Sequence, residues 1–499
     1  MKKRALSLLL ALALLAGLSV SGAHAEAPET GSADVSANVL HLGGLLPAGS
    51  KPLLRGSGNL ALKQTLYNGL SAWAETIDIS AYGVSVSDIS AIYAQVLNEH
   101  PDLFYVTGGF RYRYSGNVVT AVLPYYDDSY SSADVAAYQN ATQRILGMLE
   151  PGWSDMEKLL FLHDYLVTHC EYDLTYSNYS AYDALVIGSA VCQGYAEAFR
   201  DLCVRSGIAC SLISSDDIDH AWNLVTLEGE NFYIDCTWDD PSNQWYEGRC
   251  QHENFLLGKT GLSKDHGGTD WTDGTTNVYA YDPTSSRYDS GAWWSDVVTA
   301  VPIIGHIGAY TLKSNSANFF LRNLSTDSVS SFSLPGQAVW PVFNQPGYTW
   351  NGNFCSFAAA DNLFYFALPT GIWSATTAGQ TARVYSLSQD ELAQGYAYGI
   401  VAVGNILYYN IGESGCNNPF IRNALSSSST SLSTLPAGLK LIESDAFRGT
   451  AMSEVIVPSE CERIETGAFA DSALTYLQVG TSTVIEDGAV ASSVFVDRK

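Results

Sequence analysis

The sequence predicts a multidomain α+β protein. Three observations predict it. Helical apolar spacing is confined to roughly the first 206 residues, where it is mixed with strand patterns. Short strand patterns broken by Gly, Ser and Asn fill about 300–422. Residues 435–499 repeat with a period near 22. With 499 residues there is room for about three domains. Apolar residues are 46% and charged residues 15%, which excludes disorder over the whole length. A formal charge of −26 excludes partners held by bulk electrostatics, namely nucleic acid and anionic membrane surfaces.

Lys2, Lys3 and Arg4 head an apolar run, Ala5 to Val20, that closes on Ala23-His24-Ala25. This is the pattern of a signal peptide over 1–25. It implies export to the cell surface or beyond, and no later run is long enough to span a membrane. The nine cysteines are an odd number and include no C-x-x-C pair, so a zinc ribbon is not expected. Most suit small buried apolar positions.

Residues 26–55 read as a loose leader within an N-terminal α+β region, 26–150. Ile89, Ile92, Tyr93, Val96 and Leu97 share one helix face, and Pro101 stops that helix. Phe110, Tyr112 and Tyr114 alternate with Arg111 and Arg113, then Gly116-Asn117 turns the chain into a return strand, Val118 to Leu123. Helices are expected at 154–170 and 191–206, and strands at 221–227 and 231–238. These fall in a candidate catalytic unit, 151–275. Asp282-Pro283-Thr284-Ser285-Ser286 reads as a linker.

In the β-rich domain, 295–425, three segments look alike: Asn318-Phe319-Phe320-Leu321, Asn362-Leu363-Phe364-Tyr365 and Asn405-Ile406-Leu407-Tyr408. Their spacing suits propeller blades, and equally an open stack of sheets. A Ser/Thr tether, 426–434, leads to the last unit, 435–499. There Ile442-Glu443-Ser444-Asp445-Ala446-Phe447 recurs as Ile464-Glu465-Thr466-Gly467-Ala468-Phe469. A period near 22 is that of a leucine-rich-type solenoid. The unit resembles the BspA-like leucine-rich repeats of bacterial surface proteins, which present an extended surface and perform no chemistry.

The chemistry concentrates between 190 and 241. Cys192 stands at the start of a helical pattern, preceded by Gly188-Ser189-Ala190. A thiol there meets the positive end of the helix dipole, which favours thiolate. Gly194 is read as leaving room for a substrate backbone beside the sulfur. His220 opens an alternating strand, and Asp235 lies on a second strand after the turn Glu228-Gly229-Glu230-Asn231. Neighbouring strands are about 4.8 Å apart, so Asp235 can reach one ring nitrogen of His220 while the other faces Cys192. Thiolate, imidazole and orienting carboxylate are the parts of nucleophilic acyl transfer. His163 and His266 are alternatives for the base. His163 fits a structural place on an amphipathic helix, and His266 lies in a Gly-rich loop. Asp239 and Asp240 are alternatives for the acid, but beside Pro241 they suit a turn.

The pieces Val191-Cys192-Gln193-Gly194-Tyr195-Ala196, His220-Ala221-Trp222-Asn223 and Tyr233-Ile234-Asp235-Cys236-Thr237-Trp238 resemble the transglutaminase-like superfamily. Leu162-His163-Asp164-Tyr165-Leu166, Tyr182-Asp183-Ala184-Leu185, Asn254-Phe255-Leu256-Leu257 and Lys264-Asp265-His266 are similar to its bacterial members, and the likeness spans roughly 80–275. The resemblance implies a papain-like core with Cys192 as nucleophile, His220 as base and acid, and Asp235 as orienter. It also implies an oxyanion or substrate contact from the Cys192 backbone N–H, with Tyr182, Gln193 and Trp222 as further candidates.

The reading is an exported cysteine acyltransferase or peptidase acting through a thioester on protein or peptide amides, cell-wall or surface proteins included. The rival is a non-enzymatic surface-binding protein that keeps the domain as a scaffold. No EF-hand or metal-ligand spacing is visible, so no cofactor or metal is expected.

Overall fold

The computed structural model describes residues 30–35, 57–241, 249–274, 277–280, 284–350, 354–360, 362–403, 406–412 and most of 433–499. The expected signal peptide, most of the Ser/Thr tether and Asp282-Pro283 lie outside the described residues. Among the described residues no helix is long and apolar enough to cross a membrane.

The N-terminal unit is a four-stranded sheet in the order β1-β3-β4-β2. Its strands are β1 (Thr30–Val35), β2 (Ile77–Asp78), β3 (Val106–Ser115) and β4 (Val118–Tyr126). Helices α1 (Ser57–Ser71) and α2 (Ile89–Glu99) cover it. The α2 face carrying Ile89, Ile92, Tyr93 and Val96 is buried in one core with Phe110, Val119 and Val122. The loose leader needs correction. Thr30–Val35 pairs antiparallel with β3, Val35 opposite Phe110 and Thr30 opposite Ser115. A strand of Gly, Ser, Ala and Asp has little β preference of its own; its partner β3 supplies the order.

Helix α3 (Ser132–Leu146) begins at a capping box between Ser131 and Asp134. Helix α4 (Asp155–His169) begins at another, between Ser154 and Glu157. Strands β5 (Glu171–Tyr172) and β6 (Ser189–Ala190) then pair in parallel, flanking a π-helical turn at Asp183–Ile187. Gly188, at φ 72°, closes that turn in the left-handed region. Helix α5 (Cys192–Arg205) packs on α4 and on an antiparallel sheet of β7 (Cys210–Ser215), β8 (His220–Leu227) and β9 (Glu230–Ile234). One apolar core joins Leu162 and Leu166 of α4, Phe199 and Leu202 of α5, and Val225 and Phe232 of the sheet. It also takes in Tyr138 of α3 and Trp294, Val301 and Tyr310. Thr284 and Ser285, expected in a linker, instead dock on Asn231 at the start of β9.

Beyond this core, strands at Ile303–Ile304, Ile307–Leu312, Asn315–Asn323 and Ser328–Ser333 form one antiparallel sheet. Strands at Phe357–Ala360, Leu363–Leu368, Gly371–Ala375 and Thr381–Ser386 form a second, and Tyr396–Val403 pairs with Ile406–Gly412. Residues 318–321, 363–365 and 406–408 each fall in the return strand of a hairpin, while Asn405 lies outside the described residues. Among the described residues these are separate open sheets, and none closes on itself.

The final unit carries two parallel ladders. One runs through Ser433–Thr434, Glu454–Ile456, Tyr476–Val479 and Phe495–Arg498, the other through Leu441–Ile442, Arg463–Ile464 and Val484–Ile485. Leu441 pairs with Arg463 and Arg463 with Val484, so each copy lies on the next. Phe447 and Phe469 stack at 4.6 Å between them.

Candidate active site

The site is built where α5 starts against the end of the β7-β8-β9 sheet. Cys192 is the first residue of α5, after the extended Val191, and is 5% exposed. Its thiol therefore sits at the positive end of a 14-residue helix. Asn223 of β8 donates its side-chain N–H to the Ala196 carbonyl of α5 at 2.9 Å, which fixes the strand against the helix. Ala221, next to His220 on β8, packs with Cys192 and Ala196 of α5, which sets the His220 ring in electrostatic range of Cys192.

Asp235 follows the last residue of β9. Its Oδ1 accepts from the backbone N–H of Thr237 at 2.9 Å and of Trp238 at 3.2 Å. Its Oδ2 lies 2.6 Å from His220 Nε2. With Nε2 on the carboxylate, Nδ1 is the nitrogen of His220 left for other chemistry. Burial opposes a charge on this ring, but the Asp235 carboxylate, then Cys192, overcomes it and raises the His220 pKa to about 10. Burial likewise opposes the Asp235 carboxylate, and His220 followed by His266 holds its pKa well below the usual carboxylate range.

A cleft of about 410 Å³ opens over this group, lined by Tyr172, His220, Thr237, Trp238, Asp240 and Gln251 among others. A smaller recess of about 270 Å³ on the N-terminal sheet contains neither thiol nor imidazole. Eight cysteines are among the described residues, and all of them are buried. Desolvation pushes the Cys203, Cys236 and Cys250 thiols far up. A buried sulfur, imidazole and carboxylate, once the first two meet, can carry a thiolate–imidazolium pair and transfer its proton to a leaving amine.

Residues 142–247 match the family model described as "Transglutaminase-like superfamily". This stretch is similar to transglutaminase-like domains. The domain is similar to the kyphoscoliosis peptidase of Homo sapiens, 27% identical over 131 residues, covering 22% of this chain and 20% of that one. It is also similar to the kyphoscoliosis peptidase of Mus musculus, 26% identical over 128 residues, covering 22% and 19%. The chain thus spans about a fifth of the length of these curated relatives. A solved structure of a TGase shares 13% identity over 30% of this chain and 48% of that one, with a TM-score of 0.20.

Several neighbours of the transglutaminase-like site differ from expectation. Tyr182 is not brought to the thiol as a donor: its hydroxyl donates to Asp134 at 3.0 Å and its ring stacks on Phe104 at 4.6 Å. Tyr172 of β5 takes that neighbourhood; it lines the cleft, and after burial it is Cys192 that does most to raise its phenol to about 12. Trp222 does not line the cleft. It is 1% exposed and packs beneath His220 and His266 against Trp271. The cleft aromatic is Trp238, 41% exposed, with ring centroids 5.3 Å from His220 and 3.8 Å from His266. Gln193 donates its amide to Glu197 at 2.8 Å, so its N–H is engaged inside α5. Gly194 serves packing rather than substrate access: a Cβ there would sit 2.6 Å from Ala190 Cβ and 2.8 Å from the Ser180 carbonyl.

His266, considered only as an alternative base, shares the acid instead. Its Nε2 lies 2.7 Å from Asp235 Oδ2, and its ring is fully buried. His163 is away from the thiol, between Asp164 and Asp239 at 2.9 and 3.1 Å. Asp239 therefore serves His163, and Asp240 accepts from the Tyr195 hydroxyl at 2.6 Å. Two buried groups have metal-ligand composition, each with its ligand atoms within 4.8 Å of one another: His220, Asp235 and His266, and His163, Asp164, Cys250 and His252. The sequence search for metal spacing missed the second because its halves lie about 87 residues apart.

Proposed function

We propose that the chain is an exported cysteine-dependent enzyme that performs acyl transfer or hydrolysis on protein or peptide amides. The observation that carries this is His220 at the edge of one cleft, 2.6 Å from Asp235, on the strand whose Ala221 packs against Cys192. The Cys192 thiolate attacks the amide carbonyl carbon. The oxyanion is held by the Cys192 backbone N–H, with the Tyr172 hydroxyl alongside. The His220 imidazolium gives its proton to the departing amine as the C–N bond breaks, leaving a thioester on Cys192. Water or a lysine amine then attacks the thioester; His220 takes the incoming proton and the sulfur leaves as thiolate. Water gives hydrolysis or deamidation, and an amine gives a crosslink.

The reading extends to the rest of the chain. The open sheets and the stacked 21- or 22-residue copies, read as a leucine-rich-type solenoid, hold the enzyme near protein substrates at a cell surface. The chain is incubated with a Gln-containing peptide and a primary amine, and products are analysed by mass spectrometry. Deamidated, cleaved or amine-bearing peptide from the parent and none from Cys192→Ala is the expected result. Equal turnover by both proteins rejects the nucleophile. Peptide captured without any turnover favours the scaffold reading.

A further inference from the structure

A second buried cluster is assembled from two distant segments. His163 and Asp164 come from α4, and Cys250 and His252 from the stretch after the cleft. All four are buried, at 0, 4, 0 and 1% exposure. Asp164 Oδ1 is the common centre. It lies 2.9 Å from His163 Nδ1, 2.9 Å from His252 Nε2 and 3.5 Å from Cys250 Sγ. Sulfur and His163 Nδ1 are 3.9 Å apart.

The outward nitrogens decide how this centre is read. His252 Nδ1 faces the Val297 carbonyl at 3.1 Å, and a carbonyl only accepts, so Nδ1 carries the hydrogen. His163 Nε2 faces Asp239 Oδ2 at 3.1 Å, again an acceptor. Asp239 is itself held by the backbone N–H and side-chain amide of Asn254 at 2.9 and 3.1 Å. Both rings thus spend their N–H outward and aim the other nitrogen at the same oxygen. The two rings lie 5.2 Å apart, and with the Cys250 sulfur they converge on one carboxylate oxygen. A divalent cation at this point would take both inner nitrogens as lone-pair donors.

We propose that His163 Nδ1, Asp164 Oδ1, Cys250 Sγ and His252 Nε2 bind one structural Zn²⁺. The set has two imidazoles, one carboxylate and one thiolate, the softness zinc takes. Tetrahedral zinc sets its ligands roughly 3.3–3.6 Å apart; the four separations above lie between 2.9 and 3.9 Å, and all four atoms lie within 4.8 Å of one another. Asp239 and the Val297 carbonyl orient the two rings from behind, as carboxylates and carbonyls do around zinc. Cys250 gives up its thiol proton to solvent when the metal binds. With four protein ligands the site is closed, which suits bracing rather than catalysis. What it braces is visible. Asp239 N donates to the Asp235 carbonyl, so the metal's outer support and the active-site carboxylate share one loop. Asp164 Oδ2 accepts from Val301 N at 2.6 Å, tying the segment that leads into the first open sheet.

The test uses the full chain, purified without a histidine tag and reconstituted with Zn²⁺ or Co²⁺. About one equivalent of zinc by mass spectrometry and a sulfur-to-cobalt charge-transfer band are expected. Chelation is expected to lower the melting temperature by more than about 5 °C. The equivalent should persist in Cys192→Ala, His220→Ala and vanish in Cys250→Ala, His252→Ala. Should the second variant fail to fold, the cobalt spectrum of the parent decides, since only a thiolate ligand gives that band. Metal content below about 0.1 equivalent after reconstitution, cobalt without the band, or zinc that survives loss of Cys250 and His252 overturns the site.

Discussion

His266 and His220 meet on a single oxygen of Asp235, at 2.7 and 2.6 Å. The carboxylate is therefore held from two sides, and its other oxygen is fixed by the backbone of Thr237 and Trp238. His266 never faces the sulfur in this arrangement; it fixes the acid that fixes the base. His266→Gln, which keeps a donor, should retain turnover within about tenfold of the parent, while His266→Ala should lose about 10- to 100-fold in kcat with little change in KM. Steady-state kinetics on the Gln-peptide assay separates these. Equal losses in both variants, or a loss confined to KM, would show that His266 does not act through Asp235.

The His220–Asp235 pair also predicts a pH dependence of stability. Burial lowers the affinity of the His220 ring for a proton, but Asp235 and then Cys192 prevail and lift its pKa from 6.5 to about 10. A folded value above the unfolded one means that the native state holds the proton more tightly. The contribution is complete below about pH 6.5 and drains away as pH rises through the folded value. Urea unfolding of the parent and His220→Gln at about pH 6, 8 and 10 measures this. The stability advantage of the parent should shrink with rising pH. A gap that widens with pH would contradict the sign.

Gly194 offers a test of packing against propensity. On helix propensity alone Gly194→Ala would stabilise by up to about 1 kcal/mol. The added Cβ, however, meets Ala190 Cβ at 2.6 Å and the backbone oxygen of Ser180 at 2.8 Å, and the latter cannot move aside as a flexible side chain could. Overpacking of this kind costs about 1–3 kcal/mol. A lowered melting temperature is expected, and slower turnover with it, because Cys192 lies two residues away on the same turn.

Trp238 should separate binding from folding. It is half exposed over the cleft and covers His266. Trp238→Ala is expected to raise KM about tenfold while shifting the melting temperature by no more than about 3 °C. Trp222→Ala, which opens a hole in the buried core beneath the histidines, should instead destabilise by about 3–5 kcal/mol.

Much of this site can be read from residue order, and the reasons for the rest are physical. Cys192 follows small residues at a helix start, and His220 and Asp235 stand on adjacent strands joined by a turn, so local pattern and strand spacing suffice to bring them together. Which aromatic faces the cleft cannot be read the same way. Trp222 and Trp238 flank the same strands, and their exposure depends on what packs beneath, namely Trp271 and Tyr233, which local alternation does not reveal. His266 lies in a loop whose position is fixed by contacts 31 residues back, at Asp235. The pairing of Thr30–Val35 with Phe110–Ser115 is hidden for the same reason: the segment is ordered by its partner, not by its own composition. In the C-terminal unit the periodic copies, by contrast, pair with their immediate successors, so period and register coincide.

The central claim is that Cys192 is an activated thiol paired with His220. The direct measurement is the rate of iodoacetamide labelling at about pH 6–7, resolved by peptide mass spectrometry, for Cys192 and for Cys203, whose thiol burial and Cys210 hold protonated. Labelling of Cys192 at least about tenfold faster than Cys203 in the native chain, falling towards the rate of an ordinary thiol in His220→Ala, is the predicted result. Equal rates at the two cysteines, or a Cys192 rate unchanged by loss of His220, would contradict it.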